Sequence, residues 1–557
     1  MAPVEERKRP ASPVLDEQSE AKKHQDTPKP AKAQKAPKVN RRRYRIKAPE
    51  PTSPLGVLQH EIEEILESHG LTKQLISNDM TRLLNDQEVE DRFHRQVSGV
   101  KILKLLSNGD GVAVIPHPED ESKRQICIVP FGLPGDVGVI KVFKTHPLYV
   151  ESDLLDITEK SSYRKDELIN CKYFGKCSGC QYQNVDYEQQ LVFKRQTIEN
   201  AFKFFAPKLS AANILPAIGN TQESPLQYTY RTKLTPHFNL PYRKGGHQLE
   251  YKPNLGFGAK GRPTWRKDMH IGSGSIIDIE ECSIGTEIIN IGMKNEKQRF
   301  ERDFKNYRKG ATILLREDTE LSTGDLTKPG STNEKGEKST IEVTINDTKL
   351  TKSCVTDPRQ IVTEYVNGFR FEFSGGEFFQ NNNSILPIVT DYVRSNLSIP
   401  NSQPGEPNFL VDAYCGSGLF SITCSGDVSK VVGVEVSADS VKFAERNAKS
   451  NNIENATFIV GKAEKIFGNI DTPADRTSVI LDPPRKGCDD VFLNQLSEYH
   501  PAKIVYISCN VHSQARDIDW FINETKNGGE YVVESIKGFD FFPQTHHVES
   551  VAVLRRK

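Results

Sequence analysis

Long apolar runs are what this sequence most plainly lacks. No stretch approaches the roughly eighteen consecutive apolar residues that a bilayer-spanning helix needs, so no membrane partner is expected. The N-terminus has no apolar core of the kind a secretory signal carries, and secretion is not expected either. Net charge is also missing, since 74 Lys and Arg balance 74 Asp and Glu, although the balance hides a local asymmetry. Ten cysteines without a secretion signal point to a reducing compartment, where thiols serve as ligands, catalysts or plain core more often than as disulfides. At 557 residues the chain exceeds the size at which a single core keeps growing, so two or three domains are expected.

The charge asymmetry sits at the start. The first 50 residues hold fourteen Lys and Arg against seven Asp and Glu, with many Pro, Ala and Gln and almost no large apolar side chains. Residues 1–55 therefore read as a disordered basic arm. Arg7-Lys8-Arg9, Lys22-Lys23 and Arg41-Arg42-Arg43 fit a nuclear address, contacts to phosphates, or a solvated tail. Nucleus and cytoplasm are the expected compartments; Glu5 and Glu6 speak against a mitochondrial transit peptide without closing that route. Over 56–95, apolar residues recur at helical spacing (Ile62, Ile65, Leu66; Leu71, Leu75, Ile76; Leu83, Leu84), which predicts one or two packed helices. From 96 to 160 the pattern changes to short β-rich runs separated by tight turns, among them Asn108-Gly109-Asp110-Gly111 and Leu133-Pro134-Gly135-Asp136. These turns and the valine-rich strand after the second predict a small barrel that resembles a TRAM domain, an RNA-binding fold.

Residues 161–375 read as a β-rich central domain. It opens on Cys171, Cys177 and Cys180, with Gly175 and Gly179 allowing the chain to wrap tightly between them. Thiolates this close can converge on a metal or an iron–sulfur cluster, and a fourth ligand must come from elsewhere. Cys282 is the best choice outside the C-terminal block, since Cys127 and Cys354 lie in ordinary strand-like surroundings. Iron–sulfur, zinc and free thiols all stay open on spacing. A helix is predicted near Tyr187 to Phe205. Gln227 to Thr235 alternates aromatic and basic residues, as a strand facing RNA would, or as a two-sided strand would. Residues 315–340, polar and rich in Gly, Ser and Thr, are expected to form a flexible loop.

From 376 to 557 short apolar strands alternate with helices, which predicts an α/β fold with a doubly wound, largely parallel sheet. The first strand, Phe409 to Ala413, runs into Tyr414-Cys415-Gly416-Ser417-Gly418. Gly416 and Gly418 let the backbone turn sharply and approach a ligand at the strand mouth, and Glu435 ends the next strand, where an acid can accept both hydroxyls of a ribose. The third glycine of the dinucleotide fingerprint is absent, so an adenosine without a diphosphate fits better than a nicotinamide dinucleotide, and S-adenosylmethionine is such a ligand. Asp482 in Asp482-Pro483-Pro484-Arg485-Lys486-Gly487 is held at the same edge by two prolines. Cys509 closes the apolar run Ile504 to Ser508, where open α/β sheets place their chemistry, and is a candidate nucleophile. Glu549 begins an apolar strand and is a candidate general base with a raised pKa.

Phe378-Phe379-Gln380-Asn381, Gly416-Ser417-Gly418, Asp482 to Gly487, Ser508-Cys509-Asn510 and His547-Val548-Glu549-Ser550, in this order, resemble the RNA uracil-5-methyltransferase family. With the TRAM-like and cysteine-rich segments the resemblance covers roughly residues 98–557. It implies a Rossmann-like catalytic domain that binds S-adenosylmethionine through Gln380, Tyr414, Gly416, Gly418, Glu435 and Asp482, with Cys509 as nucleophile and Glu549 as base. It also implies a 4Fe–4S cluster on Cys171, Cys177, Cys180 and Cys282, as in bacterial members that act on ribosomal RNA. The basic arm and extra loops resemble fungal members, whose substrate is uridine 54 of the tRNA T-loop, so tRNA is the expected partner of a monomeric enzyme and ribosomal RNA the alternative. Gln544 and His546 depart from the bacterial pattern at the pocket rim. Cytosine-5 methylation is disfavoured, because those enzymes resemble one another in a cysteine after an Asp-x-Pro turn, where this chain has Arg485. An RNA-binding or tRNA-folding factor in which methylation is dispensable is the reading from another class.

Overall fold

The computed structural model describes residues 48–557 except 241, 242, 244, 247, 262–275, 325, 346, 400–405, 462–466, 468 and 469. The basic clusters of the arm lie outside the described residues. Helix α1 (Pro54–Ser68) starts at Ser53, whose hydroxyl accepts from the Gly56 amide at 3.2 Å, with Pro54 at the first helical position. Its buried residues Leu58, Ile62, Ile65 and Leu66 fall on one stripe and pack on the barrel core at Leu106, Val112, Ile126 and Ile128. Three shorter helices follow, ending at Phe93.

The expected barrel is a six-stranded sheet spanning Gln96 to Glu159. Its core of Val100, Ala113, Ile115, Cys127, Ile140 and Val142 comes from inward positions of alternating strands. Cys127 is plain core: burial pushes its thiol up to about 12.

The central region builds two four-stranded sheets and a helix, Glu287–Asp303, around Leu234, Phe238, Ile288, Met293, Phe300 and Leu315. Two expectations change here. Leu315–Leu321 is a fully paired strand rather than part of a loop, and its polar residues Arg316, Glu317, Asp318 and Glu320 are buried among partners of opposite charge: Lys352 meets Glu317, and Lys328 meets Glu320. Charge suggested solvent, but paired charge can be buried. The aromatic–basic segment 227–235 is strand only at Lys233–Leu234, because Thr229 has φ 53° and breaks the run. Burial alternates from Tyr230 to Leu234, with Tyr230, Thr232 and Leu234 buried and Arg231 and Lys233 partly exposed, the two-sided pattern, while Gln227 and Thr229 are exposed.

Helix α2 (Tyr187–Phe205) sits where predicted, but it and strand β1 (Gly219–Gln222) belong to the catalytic layer and not to the central domain. Ile198, Phe202 and Phe205 share a core with Val411, Leu481 and Tyr506, and β1 adds an edge to the large sheet. The hairpin Ile361–Val366 with Phe369–Ser374 likewise packs Phe371 and Phe373 against Ile422 and Val431, so the catalytic unit begins before residue 376. Helix α3 (Leu386–Ser395) precedes strands β2 (Phe409–Ala413) and β3 (Lys430–Glu435), helix α4 (Ala438–Ser450), β4 (Ala456–Val460), β5 (Thr477–Leu481), α5 (Asp490–Tyr499), β6 (Lys503–Ser508), α6 (Val511–Glu524), β7 (Tyr531–Phe539) and β8 (Glu549–Arg556). The eight strands lie in the order β4-β3-β2-β5-β6-β8-β7-β1. Strands β4 to β6 run parallel, while β8 runs antiparallel to both β6 and β7. Both faces are covered, which explains why β5 and β6 are buried at every position. Among the described residues no helix is long and apolar enough to cross a membrane.

Candidate functional site

The reversal of β8 brings the two chemical candidates together. Parallel strands present their C-terminal ends at one edge of the sheet, and an antiparallel neighbour presents its N-terminal end there. The last recorded pair between β6 and β8 is Ser508 with Ser550, so one further step along that register sets Cys509 opposite Glu549. Glu549 is 4% exposed. Burial first, then the Asp482 charge, raises its carboxyl to about 8, and Arg485 pulls the other way. The Cys509 thiol rises to about 12 through burial and the charges of Glu549 and Asp482, again opposed by Arg485. Arg485 is thus the cation that faces both groups.

Asp482 follows β5 and its carboxyl is raised to about 7 by burial and by Asp412. Asp412, which the sequence reading passed over, lies in β2, accepts from Ser421 Oγ at 2.6 Å and is itself pushed to about 7. Its position inside an apolar strand was the available signal. The turn after Asp482 is fixed from below: Cys488 N and Tyr506 Oη both donate to Asp517 Oδ2 at 2.7 Å. Gly487 has φ 80°, and a Cβ there would meet that same carboxylate oxygen at 2.4 Å, so the turn requires glycine.

The mouth of β2 is built from unusual backbone. Tyr414, Gly416 and Gly418 have φ values of 68°, 54° and 91°. Nothing lies within 4 Å of where a Gly416 Cβ would stand, which leaves the backbone open to a close ligand. Glu435 ends β3 and is held by the amides of Gly416 at 3.2 Å and Ser437 at 2.9 Å. Gln380 is buried beside Phe379, whose ring stacks on Phe373 at 4.4 Å, while Phe378 stands 75% exposed. Tyr414, Gly416 and Gly418 follow β2, Glu435 ends β3 and Asp482 follows β5, so these five lie at one edge of the sheet. An acid at the second strand and an uncluttered glycine turn at the first fit the ribose and backbone contacts of an adenosine ligand such as S-adenosylmethionine.

The loop 540–548 that delivers Glu549 is held by residues the sequence gave no reason to single out. Lys194 of α2 pairs with Asp540, both fully buried, and donates to Phe542 O at 3.0 Å. Asn382 donates to Phe541 O at 3.1 Å and Tyr230 Oη to Pro543 O at 3.0 Å. The amides of Gln181 and Tyr182 both donate to Gln544 O, at 2.9 and 3.0 Å, and Gln544 adopts φ 70°. His546 N donates to Gln181 Oε1 at 3.1 Å. Burial and nearby cations lower His546 to about 4 and His547 to about 3, so both rings are neutral. Gln544 and His546, the departures from the bacterial pattern, therefore act as anchors of the rim.

Cys171, Cys177, Cys180 and Cys282 line one cavity of about 340 Å³ together with Phe174, Arg231 and Phe257. Burial pushes the Cys177 thiol up to about 11, the Gly179 amide opposes the rise, and the charges of Cys282 and Cys171 add a smaller part. Among the described residues, however, no group of three or more His, Cys, Asp or Glu stands where it could hold a metal ion, so the expected cluster has no support from ligand geometry. The four thiols ring a void instead of converging on a point.

Residues 349–557 match the family described as tRNA (Uracil-5-)-methyltransferase, and residues 91–155 match the TRAM domain. The chain is 58% identical over 538 residues to the tRNA (uracil(54)-C(5))-methyltransferase of Saccharomyces cerevisiae, covering 94% of this chain and 84% of that protein. It is 42% identical over 525 residues to the protein of the same description in Schizosaccharomyces pombe, covering 94% and 87%. In fold it is similar to the Pyrococcus abyssi tRNA (uracil-54, C5)-methyltransferase solved with S-adenosyl-L-homocysteine, with a TM-score of 0.54 and 22% identity over 82% of this chain and all of that one.

Proposed function

Because the chain belongs to the tRNA (uracil-5-)-methyltransferase family, we infer that it transfers a methyl group from S-adenosylmethionine to C5 of uridine 54 in the tRNA T-loop. The observation that carries the mechanism is the nearness of Cys509, which follows β6 directly after the Ser508–Ser550 pair, and Glu549, which opens β8: the charge of Glu549 acts on Cys509, and Arg485 opposes the rise of both. Uracil C5 is a poor nucleophile until C6 is attacked. The Cys509 thiolate forms a bond to C6, and the C5–C6 π pair moves onto C5 as part of an enolate. Gly416, Gly418, Tyr414, Glu435, Asp482 and Gln380 would hold S-adenosylmethionine at the mouth of β2, where its sulfonium would supply the methyl: C5 takes it as the carbon–sulfur bond breaks, and that electron pair stays on sulfur in the departing S-adenosylhomocysteine. Glu549 then takes the C5 proton, the released pair restores the C5–C6 double bond, and Cys509 leaves as thiolate. With the carboxyl raised to about 8, the carboxylate that accepts this proton is the minor form near neutral pH and the stronger base for it. The target base has to leave its stack, which costs a few kcal/mol that phosphate and stacking contacts offset.

Incubation with labelled S-adenosylmethionine and unmodified tRNA tests this reading. The wild type labels uridine 54 and Cys509→Ala labels nothing; a wild type that labels no tRNA uridine, or a mutant that still labels, refutes it.

We further propose that Cys171, Cys177, Cys180 and Cys282 hold a 4Fe–4S cluster. Its support is that all four thiols, Cys282 included, line one cavity. Iron and acid-labile sulfide in anaerobically purified protein, lost together in Cys180→Ser, are the expected result; zinc in their place overturns it. One chain acting alone on tRNA is the proposed assembly.

A further inference from the structure

The described chain starts at Ala48, and its first residues run not into solvent but onto the catalytic loops. Thr52 is buried at 3% exposure. Its carbonyl accepts from Asn510 Nδ2 at 3.3 Å, and Asn510 adjoins Cys509. Its hydroxyl accepts from Arg516 Nη1 at 3.2 Å, donates to Glu50 Oε1 at 2.9 Å and lies 3.1 Å from Ser513 Oγ. Arg516 Nη1 also donates to Glu50 Oε1 at 3.1 Å.

Each of those partners holds the other catalytic loop. Asn510 Nδ2 donates to Arg485 O at 2.8 Å, Ser513 Oγ to Arg485 O at 2.9 Å, and Arg516 Nη2 to Lys486 O at 2.7 Å. The turn bearing Arg485 and the strand end bearing Cys509 are thus tied together by side chains whose remaining valences are filled by Glu50 and Thr52. The close approach is built in: a Cβ on Gly56 would meet Glu50 O at 2.2 Å and Pro51 O at 2.3 Å, so only glycine lets α1 begin under this strap. Helix α1 then anchors the strap to two cores. Val57 joins the catalytic core and His60 packs on Phe205 at 4.9 Å, while Leu58, Ile62 and Ile65 join the barrel core. Glu61 accepts from Ser107 N at 2.8 Å, in the turn that also carries Asp110.

We propose that Glu50 and Thr52 are positioning residues, a clamp that sets the separation of Cys509 and Arg485 and so governs the rate of bond formation at uracil C6 rather than the affinity for RNA. The proposal rests on the methyltransferase reading given above. A catalytic group misplaced by an ångström can lose two orders of magnitude in rate, so a loosened clamp is read in the chemical step.

The test is single-turnover methylation at saturating tRNA, with tRNA affinity measured separately, and the rate of covalent adduct formation with tRNA containing 5-fluorouridine. Thr52→Val keeps the side-chain shape and removes the hydroxyl; it lowers both rates about tenfold and leaves tRNA affinity unchanged. Thr52→Ser restores them, which a merely unfolded variant does not predict. Glu50→Ala slows the wild type but adds little in an Arg516→Ala background, since the two act through one contact. Wild-type rates in Thr52→Val, or a loss that appears only in tRNA affinity, overturn the clamp. A wild-type chain that methylates no uridine overturns the activity itself and is distinguished by that control.

Discussion

Replacing Glu549 by Gln tests the buried base through stability as well as through activity. The folded protein holds this carboxyl at about 8, whereas its ordinary value is 4.5. An unfolded chain therefore releases the proton near 4.5 and the folded one near 8, so between these values the folded state binds more protons. Wild-type stability falls as pH rises across that window and levels off above it. At about 1.36 kcal/mol per pH unit the penalty is roughly 1 kcal/mol at pH 5 and roughly 4 kcal/mol at pH 8. Gln cannot ionise, so Glu549→Gln is more stable than the wild type by about those amounts, and the gap widens with pH. Removing the charge also relieves Asp482, which acts in the same direction. Urea unfolding followed by Trp520, which packs on the catalytic core, reads the effect in a Trp265→Phe background. A gap that stays constant from pH 5 to pH 8, or that narrows, refutes the assignment of a buried proton to Glu549. In the methylation assay the same variant accumulates a denaturation-resistant protein–RNA adduct, because Cys509 cannot leave until the C5 proton is taken; release of free product at the wild-type rate removes Glu549 from the base role.

Lys194→Met leaves Asp540 as a buried, unpaired charge, and the expected loss is about 3–5 kcal/mol together with methylation activity; the double variant Lys194→Met/Asp540→Leu recovers most of the stability in urea titration. Gly487→Ala forces a side chain into φ 80° against Asp517, so it costs about 1–2 kcal/mol for the backbone alone and slows single-turnover methylation without altering tRNA affinity; an unchanged rate argues that the Arg485 turn is soft. Arg485→Gln removes the cation that opposes the rise of both Cys509 and Glu549, so the pH at which 5-fluorouridine adduct forms at half its maximal rate moves upward; a shift downward, or none, contradicts the electrostatic reading.

The parts of this site legible in the sequence are those that local chemistry dictates. Strand ends announce themselves where an apolar run stops, and so the sequence alone puts Cys509, Asp482 and Glu435 at one sheet edge. Glu549 was legible for the opposite reason, an acid that opens an apolar strand, yet its meeting with Cys509 was not, because nothing local says that β8 runs backward beside β6. The anchors of the 540–548 loop were hidden for the same cause: Lys194 lies on a helix 346 residues away from Asp540, and a lysine on an amphipathic helix reads as a solvated face. Leu315–Leu321 misled because its charges suggested water, whereas strand pairing and ion pairing together make burial affordable. The strap is the sharpest case. Ala-Pro-Glu-Pro-Thr-Ser at 48–53 has no large apolar residue, like the arm before it, and the informative residue, Gly56, lies beyond it in α1, where it reads as an ordinary helix-start glycine until Glu50 O is seen against it. What the sequence could not carry is long-range closure. The catalytic edge is assembled from β2, β3, β5, β6 and β8 and then held by segments 458 and 346 residues removed from the groups they hold. Local patterns therefore name the chemistry, and the contacts that set its geometry come from parts of the chain with no chemistry of their own.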